Sequence, residues 1–334
     1  MDSHGGTLIS PRAGPLARPP RSHHDPGRGP IRGLGRQPDS AVGHHGAVLM
    51  LIPGDVLRPR RPDEHFAAEA AAARAAGWTV ALVDHDALAA GGPADAAVAR
   101  VPAGEDAVYR GWMLGADRYA AMAAALTRRG VTLRTGPEAY RRAHEVPGWA
   151  AALTGLTPDT VWTHGAGRAD FDRARAELGG GPAVLRDWTK SMKHYWYEAV
   201  YVPELGDAEA AWRVASRLRE LRGDEFTGGF VLRRFEEFGG AEARTWWVAG
   251  ECRLVTAHPD TPYEPPPPGL VPDAVAPAVA ALGLPFVTVD LALRADGEWR
   301  VIEVGDGQVS DRPVSTPAEE LVAALKTEVD APGS

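Results

Sequence analysis

The sequence is short of several features that would place it at once. It has a single cysteine, Cys252, in 334 residues, which excludes an internal disulfide and any zinc site built from several thiolates. No apolar run approaches the ~18–20 residues that span a bilayer. The N-terminus lacks the continuous apolar core of a secretory signal. A lone thiol with neither feature sets the expectation of a cytoplasmic protein. An excess of positive charge is also missing: the net charge of −8 argues against a general nucleic-acid binder. No G-x-G-x-x-G follows the first strand, so the backbone has no means of approaching a dinucleotide pyrophosphate closely. No G-x-S-x-G appears either, so no serine elbow is available as nucleophile.

What is present suffices for a sizeable core. Hydrophobic residues make up 44% of the chain, and the length suits two or three lobes rather than one. Residues 1–46 hold six arginines against three aspartates, with many Pro, Gly and His and no apolar periodicity, the composition of a disordered tail. The pairs His23-His24 and His44-His45 are metal-ligating residue types, but such pairs are ordinarily solvated.

Regular patterning begins at Ala47. AVLMLIP reads as a buried strand, Asp63 as a cap for an Ala-rich helix over about 64–76, and WTVALVD (78–84) as a second buried strand. That β-α-β order predicts a parallel sheet. AVYRGWML (107–114) reads as a further strand with Arg110 midway along it, able to reach the ligand edge of such a sheet or to sit at the surface among aromatics. Helices are expected over about 116–129, 137–147 and 170–178, and TPDTVW (157–162) reads as a turn that becomes a strand.

The block AVLRDWTKSMKHYW (183–196) starts as a strand and then gathers Arg186, Lys190, Lys193 and His194 among Trp188, Tyr195 and Trp196. Like charges this close repel, so an anion such as phosphate is the natural partner, the alternatives being a basic surface loop or a single-stranded nucleic-acid platform. EAVYVPEL (198–205) reads as a strand and 207–222 as an amphipathic helix. GGFVLRRFEEF (228–238) reads as a strand carrying Arg233 and Glu236. EARTWWVAGECRLVTAHPD (242–260) reads as a hairpin turning at Ala249-Gly250, with Arg244 inside its first strand. Pro265 to Pro268 reads as a stiff loop, and further helices are expected at about 271–282 and 317–328.

Residues 286–310, FVTVDLALRADGEWRVIEVGDGQVS, read as two strands turning at Asp296-Gly297. Asp290 lies in the first and Glu303 in the second, with Asp306 beyond. Antiparallel neighbours converge on one point, where two carboxylates ~4 Å apart at an effective dielectric of about 20 repel by roughly 4 kcal/mol. A divalent cation would reverse that sign, and oxygen-only ligands suit Mg²⁺ or Mn²⁺. The alternative is a hairpin with an acidic rim.

Taken in order, RRPDEHFAAEAAAAR, YRGWML, LTPDTVW, the basic loop, EARTWWVAGECRLV and VIEVGDGQVS are similar to stretches of ATP-grasp proteins. The similarity covers residues 47–330. It is nearest to a divergent actinobacterial clade known for two arginines and one lysine in its ATP site. The resemblance implies an α/β fold, α+β in its C-terminal lobes, with a pre-ATP-grasp lobe at 47–150 and an ATP-grasp domain at 151–330. It implies ATP contacts from Arg186, Lys190, Lys193, Arg233 and Glu236, catalytic roles for Arg244 and Lys193, and Mg²⁺ (or Mn²⁺) on Asp290 and Glu303. The family's usual third ligand, an Asn, is replaced here by Gly305, which leaves Asp306 or Gln308 to substitute or the position without a ligand. Arg110 and Asp63 are the substrate candidates, Asp63 having a plain helix cap as its alternative.

The activity implied is an ATP- and Mg²⁺-dependent ligase. Such an enzyme makes an acyl phosphate from a small-molecule or peptide carboxylate, and an amine then attacks it. A phosphotransferase, an ATP-binding protein that ligates nothing, and an inert peptide or nucleic-acid binding module are the alternatives, the last prompted by ten Trp residues. A homodimer is compatible with the family's habits, and a membrane partner is not expected.

Overall fold

The structure is a computed structural model that describes residues 48–266, 270 and 272–326. The N-terminal tail with its His pairs, the second half of the Pro-rich loop and the last residues of the expected final helix lie outside them. Within them, the first run, β1 (Leu49–Pro53), is buried throughout. Its side chains alternate between two cores. Leu49 and Leu51 point into one and Met50 and Ile52 into the other, as a strand covered on both faces requires. The helix α1 (Ala67–Ala75) leads to β2 (Thr79–Val83), which pairs with β1 in parallel.

Two short helices, α2 (His85–Ala89) and α3 (Ala94–Ala97), precede β3 (Gly104–Tyr109). Then follow α4 (Ala116–Arg128), β4 (Val131–Leu133) and α5 (Pro137–His144). The sheet order is β2-β1-β3-β4. The strand expected over 107–114 therefore begins earlier and ends at Tyr109. Arg110 is not midway along it but just past its end.

A second sheet, ordered β5-β8-β6-β7, is antiparallel. It consists of β5 (Thr160–Trp162), β6 (Ala183–Asp187), β7 (Tyr201–Val202) and β8 (Phe230–Arg234). The helices α6 (Arg168–Leu178) and α7 (Ala208–Arg222) bury Phe171, Ala211, Ala215 and Leu218 against Leu185, Phe230 and Leu232. The residues between these, Arg186, Val231 and Arg233, must then face the other way. The strand expected over 198–205 is mostly absent: Trp196–Val200 is a π-helical turn and only Tyr201–Val202 is extended. Such turns break the alternation that the reading relied on.

The third sheet, ordered β10-β9-β11-β12, is antiparallel as well. Its strands are β9 (Phe238–Val248), β10 (Glu251–Ala257), β11 (Phe286–Arg294) and β12 (Trp299–Asp306). The helix α8 (Ala276–Ala281) precedes β11, and α9 (Ala318–Ala324) follows β12. The turn at Ala249-Gly250 has both residues at positive φ, 51° and 83°, the signature of a two-residue hairpin loop. At the Asp296-Gly297 turn, Gly297 takes φ 89°, which a side chain would disfavour.

Arg110 ties the first sheet to the end of the third. It is 0% exposed and grips Glu69 of α1 through two bonds of 2.7 and 3.0 Å. Its remaining nitrogen donates to the carbonyls of Gly307 at 2.5 Å and Ser310 at 3.0 Å. With four of its five N–H groups engaged inside the protein and none of its surface exposed, this guanidinium serves no ligand, so the expectation of a substrate-facing Arg110 is corrected. Burial alone would raise the Glu69 carboxyl, but Arg110 holds it below its ordinary value. Breaking one side of such a pair strands a buried charge, at about 3–5 kcal/mol. Urea denaturation of Glu69→Gln should show a loss of that size, and Glu69→Leu combined with Arg110→Met should recover most of it.

Candidate active site

The side chains that matter meet where the second and third sheets face one another. Asp290 and Glu303 are direct cross-strand partners, and Arg244 is the partner of Asp290 on its other side. The register slips between Asp290 and Leu291, leaving Ile302 as an extra residue on β12. This bulge lets Val301 and Val304 both enter the core while Glu303 turns outward, a re-aiming that unbroken alternation does not permit.

Arg244 holds Asp290 in a fork of two 2.8 Å bonds, Nε to Oδ1 and Nη2 to Oδ2. Burial opposes the charge of each partner. The fork outweighs it, keeping the Asp290 carboxyl well below the carboxylate range and the Arg244 guanidinium above its ordinary value. Glu303 takes its cation from the other sheet: Arg186 Nη2 donates to its Oε1 at 2.9 Å. Burial would raise the Glu303 carboxyl, and Arg186 brings it below its ordinary value. Both carboxylates are thus ionised side by side.

They share one cavity of about 210 Å³ with Lys190, Lys193, Arg244, His144, His258, Asp260, Thr288, Gly305, Ser310 and Asp311. Whole small-molecule sites run from about 300 to 1,000 Å³, so this is room for a charged headgroup such as a phosphate chain. Its basic rim is shaped by Asp187, a residue that sequence reading passed over. Asp187 is 0% exposed, and its Oδ1 accepts from the backbone nitrogens of Thr189 and Lys190, both at 2.7 Å. Its Oδ2 accepts from Arg222 of α7 at 2.8 Å. A buried Asp ending a strand is an ordinary turn signal, masked here by the cations around it. Lys193 reaches across to Asp260, past the end of β10, and forms an ion pair with it.

Other candidates are placed elsewhere. Arg233 donates to the Ile302 carbonyl at 2.6 Å and to Thr157, strutting the second sheet against β12. Burial lowers its guanidinium to about 10. Glu236 is occupied by Arg300, with two bonds of 2.9 Å. Asp63 caps the turn at Glu64–Phe66 through His65 N and accepts from Trp112 Nε1 at 3.3 Å. None of these three lines the cavity.

Asp306 does not line it either. Three residues from Glu303 is an odd number, so strand alternation turns Asp306 to the opposite face. There it is 0% exposed, its Oδ1 accepting from Gln308 N at 2.8 Å and its Oδ2 without a partner. Gln308 is spent on Tyr109 N and the Tyr119 hydroxyl. Neither substitutes for a third cation ligand. Among the described residues no group of three or more His, Cys, Asp or Glu is placed to hold a metal.

Two histidines in the wall went unnoticed in the sequence. His144 ends α5, and its Nε2 has no partner. Burial, with help from Lys190, lowers it to about 3, so it is uncharged at neutral pH. His258 Nε2 lies 3.5 Å from Asp290 Oδ2. Burial works against its charge, but Asp290 raises it above its ordinary value. No motif marks either residue; only the folding of α5 and the end of β10 onto the third sheet brings them in.

Comparison with known proteins bears on the part of the chain that forms this site. Residues 177–325 match the model of an ATP-grasp domain, family 3 of the clade named for two arginines and one lysine. Residues 177–325 thus belong to the ATP-grasp superfamily. The crystal structure of the D-cycloserine synthetase DcsG aligns with this chain at a TM-score of 0.57 and 20% identity, covering 84% of this chain and 98% of that one. A RimK domain ATP-grasp protein from Sphaerobacter thermophilus DSM 20745 aligns at 0.53 and 20%, with the same coverages. An N5-carboxyaminoimidazole synthetase from Staphylococcus aureus, solved with ADP, aligns at 0.52 and 11%, covering 84% and 77%. At these identities the likeness is one of fold. No curated protein matches in sequence.

The state of Asp306 gives a testable pH dependence. Burial pushes its carboxyl up to about 7 from an ordinary 3.8. Between those values the unfolded chain has released the proton and the folded chain still holds it. Its contribution is therefore fully present below about pH 4 and is lost as pH rises through about 7, by about 4 kcal/mol in total. Denaturation measured at pH 5 and 8 should show the part of this loss that falls between pH 5 and about 7, about 3 kcal/mol, in the wild type relative to Asp306→Asn, whose own pH slope lacks it.

Proposed function

We propose that this ATP-grasp protein is an ATP-dependent ligase that activates a carboxylate as its acyl phosphate for attack by an amine. The observation that carries the reading is the pair of ionised carboxylates, Asp290 and Glu303, side by side in a cavity that also presents Lys190, Lys193 and Arg244. Their donor chemistry fits a divalent cation: each carboxylate keeps lone pairs beyond those given to arginine, and both are ionised. A side-by-side pair of protein carboxylates suits Mg²⁺, an ion usually held by one or two carboxylates with phosphate oxygens and water completing its shell. Asp290 and Glu303 would hold it. When bound, it would neutralise charge on the transferring phosphoryl group.

In this reading the chain's own residues bind and orient. Lys190 and Lys193 face the phosphates as point charges. Lys193 must exchange Asp260 for phosphate to do so. Arg244 and Arg186 hold the two carboxylates in place. The carboxylate oxygen of the substrate forms the new bond to the γ-phosphorus as the bond to ADP breaks. The amine then forms a bond to the acyl carbon and phosphate leaves with the electron pair. No side-chain nucleophile is required: Cys252 is half-buried, and burial raises its thiol above the ordinary value. Catalysis rests on positioning and electrostatics. The division at 47–150 and 151–330, and a cytosolic setting suited to a lone thiol, belong to the same reading.

Asp290→Asn and Glu303→Gln should each abolish ADP release in the presence of a carboxylate, an amine and Mg²⁺, while circular dichroism reports an intact fold. Unchanged release by both variants would refute the assignment. Release that needs no amine would point to phosphate transfer without ligation.

A further inference from the structure

The two carboxylates stop short of a complete cation site, and what lies beside them has a definite chemistry. One step along the same face, the cross-strand pair after Asp290 and Glu303 is Thr288 and Gly305. Gly305 offers no side chain. A Cβ there would lie 3.1 Å from Thr288 Oγ1 and 3.2 Å from Ser310 Oγ, so the space above the glycine is taken by two hydroxyls. They are 2.7 Å apart, and Ser310 Oγ also donates to the Asp306 carbonyl at 2.9 Å. All three residues line the cavity with Asp290 and Glu303.

The direction of these bonds follows from proton counting. A hydroxyl has one hydrogen and two lone pairs. The Ser310 hydrogen is committed to the Asp306 carbonyl. The Thr288 hydrogen is then the one between the two oxygens. Thr288 Oγ1 is left with both lone pairs and no hydrogen to give. Such an oxygen repels a phosphate oxygen and accepts from a water hydrogen. Two residues along a strand is about 6.7 Å, too far for a cation held at the carboxylates to touch it directly, but within reach of a water on that cation. Mg²⁺ dehydrates reluctantly and keeps several waters.

We infer that Thr288, oriented by Ser310, is the third position of the cation site, holding a cation-bound water in place of a side-chain ligand. The inference rests on the reading of Asp290 and Glu303 given above. Ser310 is in turn held by its carbonyl, which accepts from Arg110 at 3.0 Å, so the buried arginine of the first sheet positions the hydroxyl pair.

The test is Mn²⁺ titration followed by electron paramagnetic resonance, with ADP present, on the full chain. Thr288→Val keeps the shape and removes the oxygen, and Thr288→Ser keeps the oxygen. Loss of a partner that orients a metal's shell lowers affinity by about 10–100-fold, so Thr288→Val should weaken Mn²⁺ by about tenfold and Thr288→Ser should not. Metal-free ADP binding and the melting temperature should be equal in all three proteins. Wild-type Mn²⁺ affinity in Thr288→Val, with affinity lost in Glu303→Gln, would overturn the inference and leave the carboxylate site standing. Unchanged affinity in Glu303→Gln would overturn both. A parallel loss of metal-free ADP binding in Thr288→Val would also overturn it, because the hydroxyl would then serve the fold and not the cation.

Discussion

Two negative charges are fixed next to each other on neighbouring strands, and the surrounding structure answers that repulsion. Asp290 and Glu303 are cross-strand partners, and two such charges about 4 Å apart would repel by roughly 4 kcal/mol at an effective dielectric of about 20. The compensation comes from two directions. Arg244 answers Asp290 from within the third sheet, and Arg186 answers Glu303 from the second. The second bond is therefore also a weld between sheets. Arg233 reinforces it by donating to the Ile302 carbonyl at the bulge that turns Glu303 outward. Charge compensation and sheet packing are here one arrangement, and neither sheet could shift without exposing an unpaired carboxylate.

The loops around the cavity hang from buried acids in the same way. Asp187 collects the backbone of Thr189 and Lys190 and a guanidinium from α7. Glu69 holds Arg110, whose other donors fix the carbonyls of Gly307 and Ser310. In each case a carboxylate deep in the structure sets the position of a loop at its surface. A fully bonded buried network of this kind has one arrangement rather than several. That is what a site working by position needs, since a misplacement of about 1 Å costs on the order of a hundredfold in rate.

Much of this was legible in the sequence, and the failures have physical causes. The buried strands, the turns at Ala249-Gly250 and Asp296-Gly297, and the convergence of Asp290 with Glu303 follow from alternation and turn chemistry. The position of Asp306 follows from the same rule: an odd spacing from Glu303 sends it to the other face. Reading it as a ligand gave proximity in sequence more weight than parity. The π-helical turn at Trp196–Val200 and the bulge at Ile302 each break a period locally, and a run of apolar residues does not announce either. Arg110, Arg233 and Glu236 looked like ligand-binding charges because a sequence shows a charge without its partner. Each proved to be paired with backbone or with an opposite charge from a distant segment. His144 and His258 had no motif at all and entered only through tertiary packing.

Burial divides the charged pairs around the cavity into those that can open and those that cannot. Lys193 and Asp260 are each 58% exposed, and such a pair is worth about 0–1 kcal/mol. A polyanion entering the cavity can displace Asp260 from Lys193 at little cost. Arg244 and Asp290 have exposures of 12% and 3%, and separating them would leave a buried charge without its partner, at about 3–5 kcal/mol. The Arg244–Asp290 pair must therefore keep its geometry when a ligand arrives, and adjustment falls to the more exposed groups. Lys190, exposed and with no side-chain partner among the described residues, is already free to meet the ligand. The site is thus rigid around Asp290 and yielding where an anion must enter, and this division is set by solvent exposure.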